Sequence, residues 1–339
     1  MTYMMDLPAS DPLPSDLQDR FTDLAQHLNH TILGQETLVK RLLIAVLADG
    51  HLLVEGAPGL AKTTAIKKLA ECIEASFHRI QFTPDLLPAD LTGTEIFRPQ
   101  TATFEFEKGP LFHNIVLADE VNRAPAKVQS ALLEAMGEGQ ITIGRRTWML
   151  PPLFMVMATQ NPIEQEGTFP LPEAQLDRFL MHLKIGYPEA ATEREIVALA
   201  HRRALMDDEA HAHAAGAIHL LKPEQVFSAR AEVLKIHVAD SLAEYMVQLV
   251  LTSRDAAPLD AELKRWIAWG ASPRGSIALD RCARAHAWLA GRDYALPEDV
   301  HAIVHDVLRH RILPSYEAEA EGVTPDRIID RLLARVALP

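Results

Sequence analysis

The apolar run Leu52-Leu53-Val54 ends in Glu55 and passes straight into Gly56-Ala57-Pro58-Gly59-Leu60-Ala61-Lys62-Thr63. Helical spacing then sets in, with Ile66, Leu69, Ala70 and Ile73 on one face. No other stretch limits the fold so narrowly. A glycine-containing turn between a buried strand and a helix N-terminus aims backbone N–H groups at a phosphate. Lys62 would then reach the β- and γ-phosphates as a point charge, and the Thr63 hydroxyl would ligate Mg²⁺. The expected nucleotide-binding set is Gly56, Ala57, Pro58, Gly59, Leu60, Ala61, Lys62, Thr63 and Thr64. The phosphate-loop pattern has glycine just before the lysine, where this chain has Ala61. Alanine costs little there if it sits at helical φ/ψ where the helix begins. A plain strand-to-helix turn without a ligand is the competing reading of the loop taken alone.

A second motif narrows the choice. The apolar run Ile115-Val116-Leu117-Ala118 ends in Asp119-Glu120. On a neighbouring parallel strand, an aspartate at the C-terminal tip lies beside the phosphate loop and can hold Mg²⁺. The glutamate one residue on can polarise a water for attack on the γ-phosphate. Asn161, in Thr159-Gln160-Asn161-Pro162, puts an amide at the same rim, although Asn-Pro is also a common turn.

Further buried strands are expected at 78–82, 114–118 and 154–159 and a last one at 181–185. Helices are expected at 16–28, 36–48, 62–75 and 126–136. Such alternation argues for an α/β fold with a parallel sheet. After Pro188 the strand-like runs stop and helical patterns take over at 193–203, 239–251, 261–269, 276–290, 297–311 and 325–336. A boundary near 188 follows, with an all-α domain beyond it, and 339 residues suit two domains.

The formal net charge of −13 disfavours general nucleic-acid binding. Cys72 and Cys282 form no metal-binding or disulfide pattern, and no apolar run approaches the roughly 20 residues of a membrane span. A cytoplasmic protein is the expectation, with 1–16 as a short flexible leader. His211 and His213 read as a solvated linker. His301 and His305, spaced i, i+4, read as an exposed helix face, since Ala302 stands where a zinc protease carries glutamate.

Taken together, these motifs resemble the MoxR family of AAA+ ATPases, from about residue 33 to about 313. In that family alanine before the Walker A lysine is usual. Leu117-Ala118-Asp119-Glu120-Val121-Asn122-Arg123-Ala124-Pro125 is similar to its Walker B stretch, and Ala158 to Pro162 to its sensor 1. The segment Leu171 to Phe179 resembles the one carrying the arginine finger, and Gly270-Ala271-Ser272-Pro273-Arg274-Gly275 resembles its sensor 2. The resemblance implies a P-loop NTPase core over 17–188 with inserts at about 92–110 and 138–150. It further implies a linker and first lid helices over 189–235 and an all-α lid over 236–339. Both inserts read locally as hairpins, and in relatives they point towards the pore of a ring.

Residue by residue, the resemblance makes Arg178 the finger that reaches the neighbouring subunit's nucleotide. A surface arginine paired with Asp177 or Glu173 is the plain alternative. Arg274, after the Ser272-Pro273 helix start, is implied to face the nucleotide from the lid. Leu33, Gly34 and Gln35 pass beside the adenine, and Gln81 restrains Glu120. The catalytic set is thus Lys62, Glu120, Asn161, Arg178 and Arg274, with Thr63 and Asp119 for the metal. The implied protein is a homohexameric, ATP- and Mg²⁺-dependent chaperone-like remodeller, working with a partner that carries a von Willebrand factor A domain and a metal-ion adhesion site. An ATP-gated assembly module and a magnesium-chelatase-like subunit are the alternatives, and a helicase of the minichromosome-maintenance kind is disfavoured by charge.

Overall fold

The computed structural model describes residues 16–144, 146–161, 167–209 and 220–338, with the side chains of Ala200 and of 202–209 left aside. Residues 1–15 of the leader expected over 1–16, and the histidines His211 and His213, lie outside the described residues, while Asp16 begins a helix.

Two helices, α1 (Asp16–Thr31) and α2 (Glu36–Leu47), lead into β1 (Leu52–Glu55), the phosphate-loop turn and α3 (Lys62–Cys72). Next come β2 (Phe77–Gln81), α4 (Pro88–Thr92), the antiparallel hairpin of β3 (Gly93–Arg98) and β4 (Thr103–Lys108), β5 (Ile115–Asp119) and α5 (Ala126–Glu138). A second hairpin, β6 (Gln140–Ile143) and β7 (Arg146–Met149), precedes β8 (Met155–Gln160), α6 (Glu173–Leu176) and β9 (Met181–Lys184). Helices follow: α7 (Ala190–Glu209), α8 (Pro223–Val233), α9 (Asp240–Arg254) and α10 (Ala261–Trp266). After β10 (Ile267–Trp269) come α11 (Pro273–Leu289), α12 (Pro297–Leu308), β11 (Leu313–Pro314), α13 (Tyr316–Ala320) and α14 (Pro325–Arg335).

The five-stranded sheet is parallel, in the order β2-β5-β8-β1-β9. Parallel pairing puts the C-terminal tips on one rim, where Gln81 lies beside Asp119, and Glu55 beside Gln160 and Lys184. This is the edge at which open α/β sheets bind ligands. The inner strands are buried on both faces, hence their near-continuous apolar runs.

Two expectations need correcting. Within the helical lid, the helix expected over 261–269 ends at Trp266, because Ile267 and Trp269 pair antiparallel with Pro314 and Leu313. The pairing partner is distant in sequence, so local pattern could not show it. The strand expected to be buried at 78–82 is an edge strand with one neighbour, leaving His78, Arg79 and Gln81 exposed while Ile80 and Phe82 are buried. That exposure matters for the site below.

The two halves share a core. Apolar side chains of α2, β1 and β5 are continuous with those of α9, α11 and α12. A buried ion pair, Arg41 to Asp306 at 2.5 Å, joins α2 to α12. On the opposite sheet face Leu53, Val116 and Val156 pack with Val128 and Leu132 of α5. The two hairpins touch: Phe106 stacks on Trp148 with ring centroids 4.7 Å apart. At the tip of the first, Phe97 and Phe104 lie exposed, 5.2 Å apart.

Candidate active site

A cavity of about 400 Å³ opens at the sheet rim, lined by Pro58 through Thr64 together with Arg79, Asp119, Glu120, Thr159, Gln160 and Asn161. The sequence therefore named most of its wall. Gly56 and Ala57 lie behind it. Ala57 is buried, and a Cβ on Gly56 would come within 2.4 Å of Ile185, so this first loop residue allows close approach of strand and loop. The Lys62 ammonium donates to the Gly56 carbonyl oxygen at 2.6 Å, folding the side chain back over the loop. Burial pushes the Lys62 amine down from its usual range, against the pull of Asp119 and Glu120.

Ala61 departs from expectation. It sits at φ 55°, ψ 18°, in the left-handed region, as the N-cap of α3. The left-handed conformation costs a residue with a Cβ roughly 1–2 kcal/mol, so the alanine holds strain at the point where the loop becomes the helix. Glu120, at φ 57° and ψ 49°, is a second such residue in the same cavity.

Thr159 ties the Asp119 carboxylate to the backbone of Glu120. Its hydroxyl donates to Asp119 Oδ1 at 2.6 Å and accepts the Glu120 N–H at 2.9 Å. The other Asp119 oxygen accepts from Arg79 Nε at 3.1 Å and Nη2 at 2.6 Å. Gln81 Nε2 donates to Glu120 Oε2 at 2.7 Å, and Arg123 Nε lies 3.1 Å from the same oxygen. Gln81, the polar residue suggested to restrain Glu120, is thus in contact with it.

A second cavity of about 170 Å³ shares Gly59, Leu60, Ala61 and Thr64 with the first. Leu33 and Gln35 line it, together with Ile196 and Leu199 of α7 and Pro188. Gly34 turns away: at φ +73° it packs where a Cβ would meet Thr192 at 2.6 Å. Together the two spaces suit a nucleotide, with an apolar recess for a base beside a loop of N–H groups and a lysine for phosphates. The Thr63 hydroxyl position and the Asp119 carboxylate are the oxygen donors that Mg²⁺ prefers.

Arg178 and Arg274 do not line this cavity. They meet elsewhere, in a space of about 260 Å³ with Gly50, His51, Gly137, Asp177, Arg281 and Arg311. Gly50 and His51 precede β1, whereas the phosphate loop follows it, so the arginines stand at the opposite end of the sheet. The connecting helix α5 has 13 residues, about 20 Å. Arg178 Nη1 donates to the Leu133 carbonyl at 2.5 Å. Asp177 accepts from Ser272 Oγ at 2.8 Å and Arg311 Nε at 3.0 Å, with Arg274 Nη1 at 3.8 Å. Ser272 caps α11 and Pro273 takes its first turn, as the sequence indicated. Arg311, with Arg309 and His310 after α12, also bonds the carbonyls of Asp177, Phe179, Leu180 and His182, which pins the finger segment to the lid.

Sequence reasoning missed Arg79, Thr159 and Arg311. Arg79 and Gln81 alternate on one strand face, so period two could have paired them. Nothing local marked Arg311. His301 and His305, read as an exposed face, hydrogen-bond Tyr245 and Asp330 at 2.8 Å each.

The family described as "ATPase family associated with various cellular activities (AAA)" matches residues 51–181, and "AAA lid domain" matches 261–332. Chaperone MoxR1 of Mycobacterium tuberculosis is 45% identical over 309 residues, covering 91% of this chain and 79% of that protein. This chain belongs to the MoxR family of AAA+ ATPases. Protein MoxR of Paracoccus denitrificans is 35% identical over 96% of this chain and 98% of its own length. A crystal structure of a protein from Cytophaga hutchinsonii assigned as an ATPase superposes with a TM-score of 0.86 at 44% identity, covering 95% of this chain and 96% of that one. A MoxR-family member is a nucleotide-binding ATPase with a parallel-sheet core and a helical lid, as found here. Among the described residues no helix is long and apolar enough to cross a membrane.

Proposed function

We propose that this MoxR-family ATPase forms a homohexameric ring in the cytoplasm and uses Mg²⁺-dependent ATP hydrolysis to remodel or mature a partner complex. We propose further that it works with a protein carrying a von Willebrand factor A domain with a metal-ion adhesion site. The observation that carries the ring is the placement of Arg178 and Arg274. They converge on one cavity at the opposite end of β1 from the phosphate loop, so a second subunit would have to present them to the nucleotide. The name Chaperone MoxR1 supports a remodelling role, and the family resemblance supports the partner.

In this reading, Lys62 holds the β- and γ-phosphate oxygens after turning away from Gly56, and the loop N–H groups hold the rest. Asp119 and Thr63 would hold Mg²⁺, which would neutralise charge on the phosphates. Glu120 orients the attacking water once Gln81 and Arg123 release it, and Asn161 steadies the γ-phosphate or that water. Arg178 and Arg274 of the next subunit stabilise the charge that develops on the transferred group, an effect worth about 10³–10⁵ in rate for fingers supplied in trans.

The test mixes two inactive variants. Lys62→Ala empties the site but keeps the arginines, while Arg178→Ala keeps the site but lacks the finger. Each alone should be silent, and the mixture should regain a substantial part of wild-type turnover, with specific activity rising with protein concentration. Active wild type with no recovery in the mixture would rule out a site shared between subunits.

A further inference from the structure

The metal carboxylate of this site already has a cation on it. Arg79, on the exposed edge strand β2, places two guanidinium nitrogens on one oxygen of Asp119, while Thr159 takes the other. The same Nη2 also donates to Gln81 Oε1 at 3.0 Å. This second bond fixes the carboxamide: with its oxygen held by Arg79, its NH₂ must face Glu120, where it donates at 2.7 Å. One arginine thus spans the metal half and the water-activating half of the site.

We propose that Arg79 is the resting counter-ion of Asp119 and that its displacement by Mg²⁺ couples arrival of the metal–nucleotide to release of Glu120. The inference rests on the assignment of Asp119 to the metal. Mg²⁺ is held through few carboxylates and keeps most of its waters. A guanidinium 2.6 Å from the Asp119 oxygen occupies the lone pairs those waters need and repels the dication. When the metal prevails, Arg79 leaves both acceptors, the Gln81 carboxamide can rotate, and Glu120 loses the donor that held it. Arg79 acts through Gln81 and Asp119 and is a positioning residue. Its side chain is half exposed, so the competition is a modest one and the arginine can swing out without disturbing the core.

The test measures the affinity of a fluorescent, non-hydrolysable ATP analogue with Mn²⁺ and again in EDTA. The ratio reports the metal's contribution. Asp119→Asn should bring the ratio towards unity. Arg79→Ala should raise it by about three- to five-fold, the scale of one exposed ion pair, with Arg79→Lys between. An unchanged ratio in Asp119→Asn would overturn the metal assignment and the inference with it. A collapsed ratio in Asp119→Asn with an unchanged or lower one in Arg79→Ala would overturn the inference alone, the lower one assigning Arg79 to the phosphates instead. The coupling to Glu120 is read in turnover at sub-saturating Mg²⁺. Arg79→Ala should raise the rate there by about three-fold, and this gain should shrink in a Gln81→Ala background. An equal gain in both backgrounds would overturn the coupling.

Discussion

Arg178 lies over Gly137, so closely that a Cβ on that glycine would come within 2.4 Å of Nη1. The three atoms nearest that position all belong to the same guanidinium. Gly137→Ala therefore has separable effects. Alanine favours the helix by up to about 1 kcal/mol over glycine, so stability should hold or rise slightly in thermal unfolding. The guanidinium must move, and turnover should fall towards the Arg178→Ala value. Full activity in Gly137→Ala would show that the finger does not need this seat.

Relief of the strain at Ala61 is measurable. Ala61→Gly removes the left-handed penalty of about 1–2 kcal/mol and gives back about 0.4–1 kcal/mol through the freer unfolded chain. A net gain of about 1 kcal/mol in denaturant unfolding is expected, with nucleotide binding retained. A loss of stability would mean that the loop does not strain its alanine.

Thr159→Val keeps the shape of a buried side chain while deleting its two hydrogen bonds, to Asp119 and from Glu120. Leaving those groups unpartnered should cost about 1–3 kcal/mol of stability. Turnover should drop about tenfold or more, since the Asp119 carboxylate and the Glu120 backbone lose their anchor, equivalent to at least roughly 1.4 kcal/mol in the barrier. Affinity for the nucleotide without metal should change little. Equal kcat in the variant would remove Thr159 from the site.

Acid should destabilise the protein through His51. Its Nδ1 accepts the Val156 N–H at 3.1 Å and its Nε2 lies 3.2 Å from the Met136 carbonyl, a pair of bonds that only the neutral ring satisfies. Burial pushes its pKa down to about 4. The unfolded chain therefore binds the proton first as pH falls below the usual value near 6.5, and stability declines from there to about pH 4. The full span corresponds to about 3 kcal/mol. His310, also pushed down by burial, adds in the same direction. Melting temperature against pH checks this, and His51→Gln should flatten the decline.

The chain's own order of residues made the nucleotide half of the site legible. A phosphate loop is contiguous: strand, turn and helix start follow one another, so Gly59, Lys62 and Thr63 needed only local pattern. Asp119 was readable because a strand that ends in a carboxylate in a parallel sheet has one rim to end on. Ser272 and Pro273 announced a helix start for the same local reason, and the family pattern supplied Arg178 and Arg274 as candidates.

What the sequence could not determine is where separate segments meet. Only the fold puts Arg178 and Arg274 in one cavity, away from their own chain's loop, because that depends on how α5, α6 and α11 pack at the far end of the sheet. The strand order made β2 an edge and left Arg79 free to reach Asp119, and strand order is set by non-local pairing. The backbone of Ala61 took the left-handed well because the loop's closure required it, against the preference of its side chain. Local sequence determined which chemistry this protein carries, while tertiary packing decided which groups share a space, since contacts between distant segments are fixed by the global burial of apolar surface and leave no periodic mark on either segment.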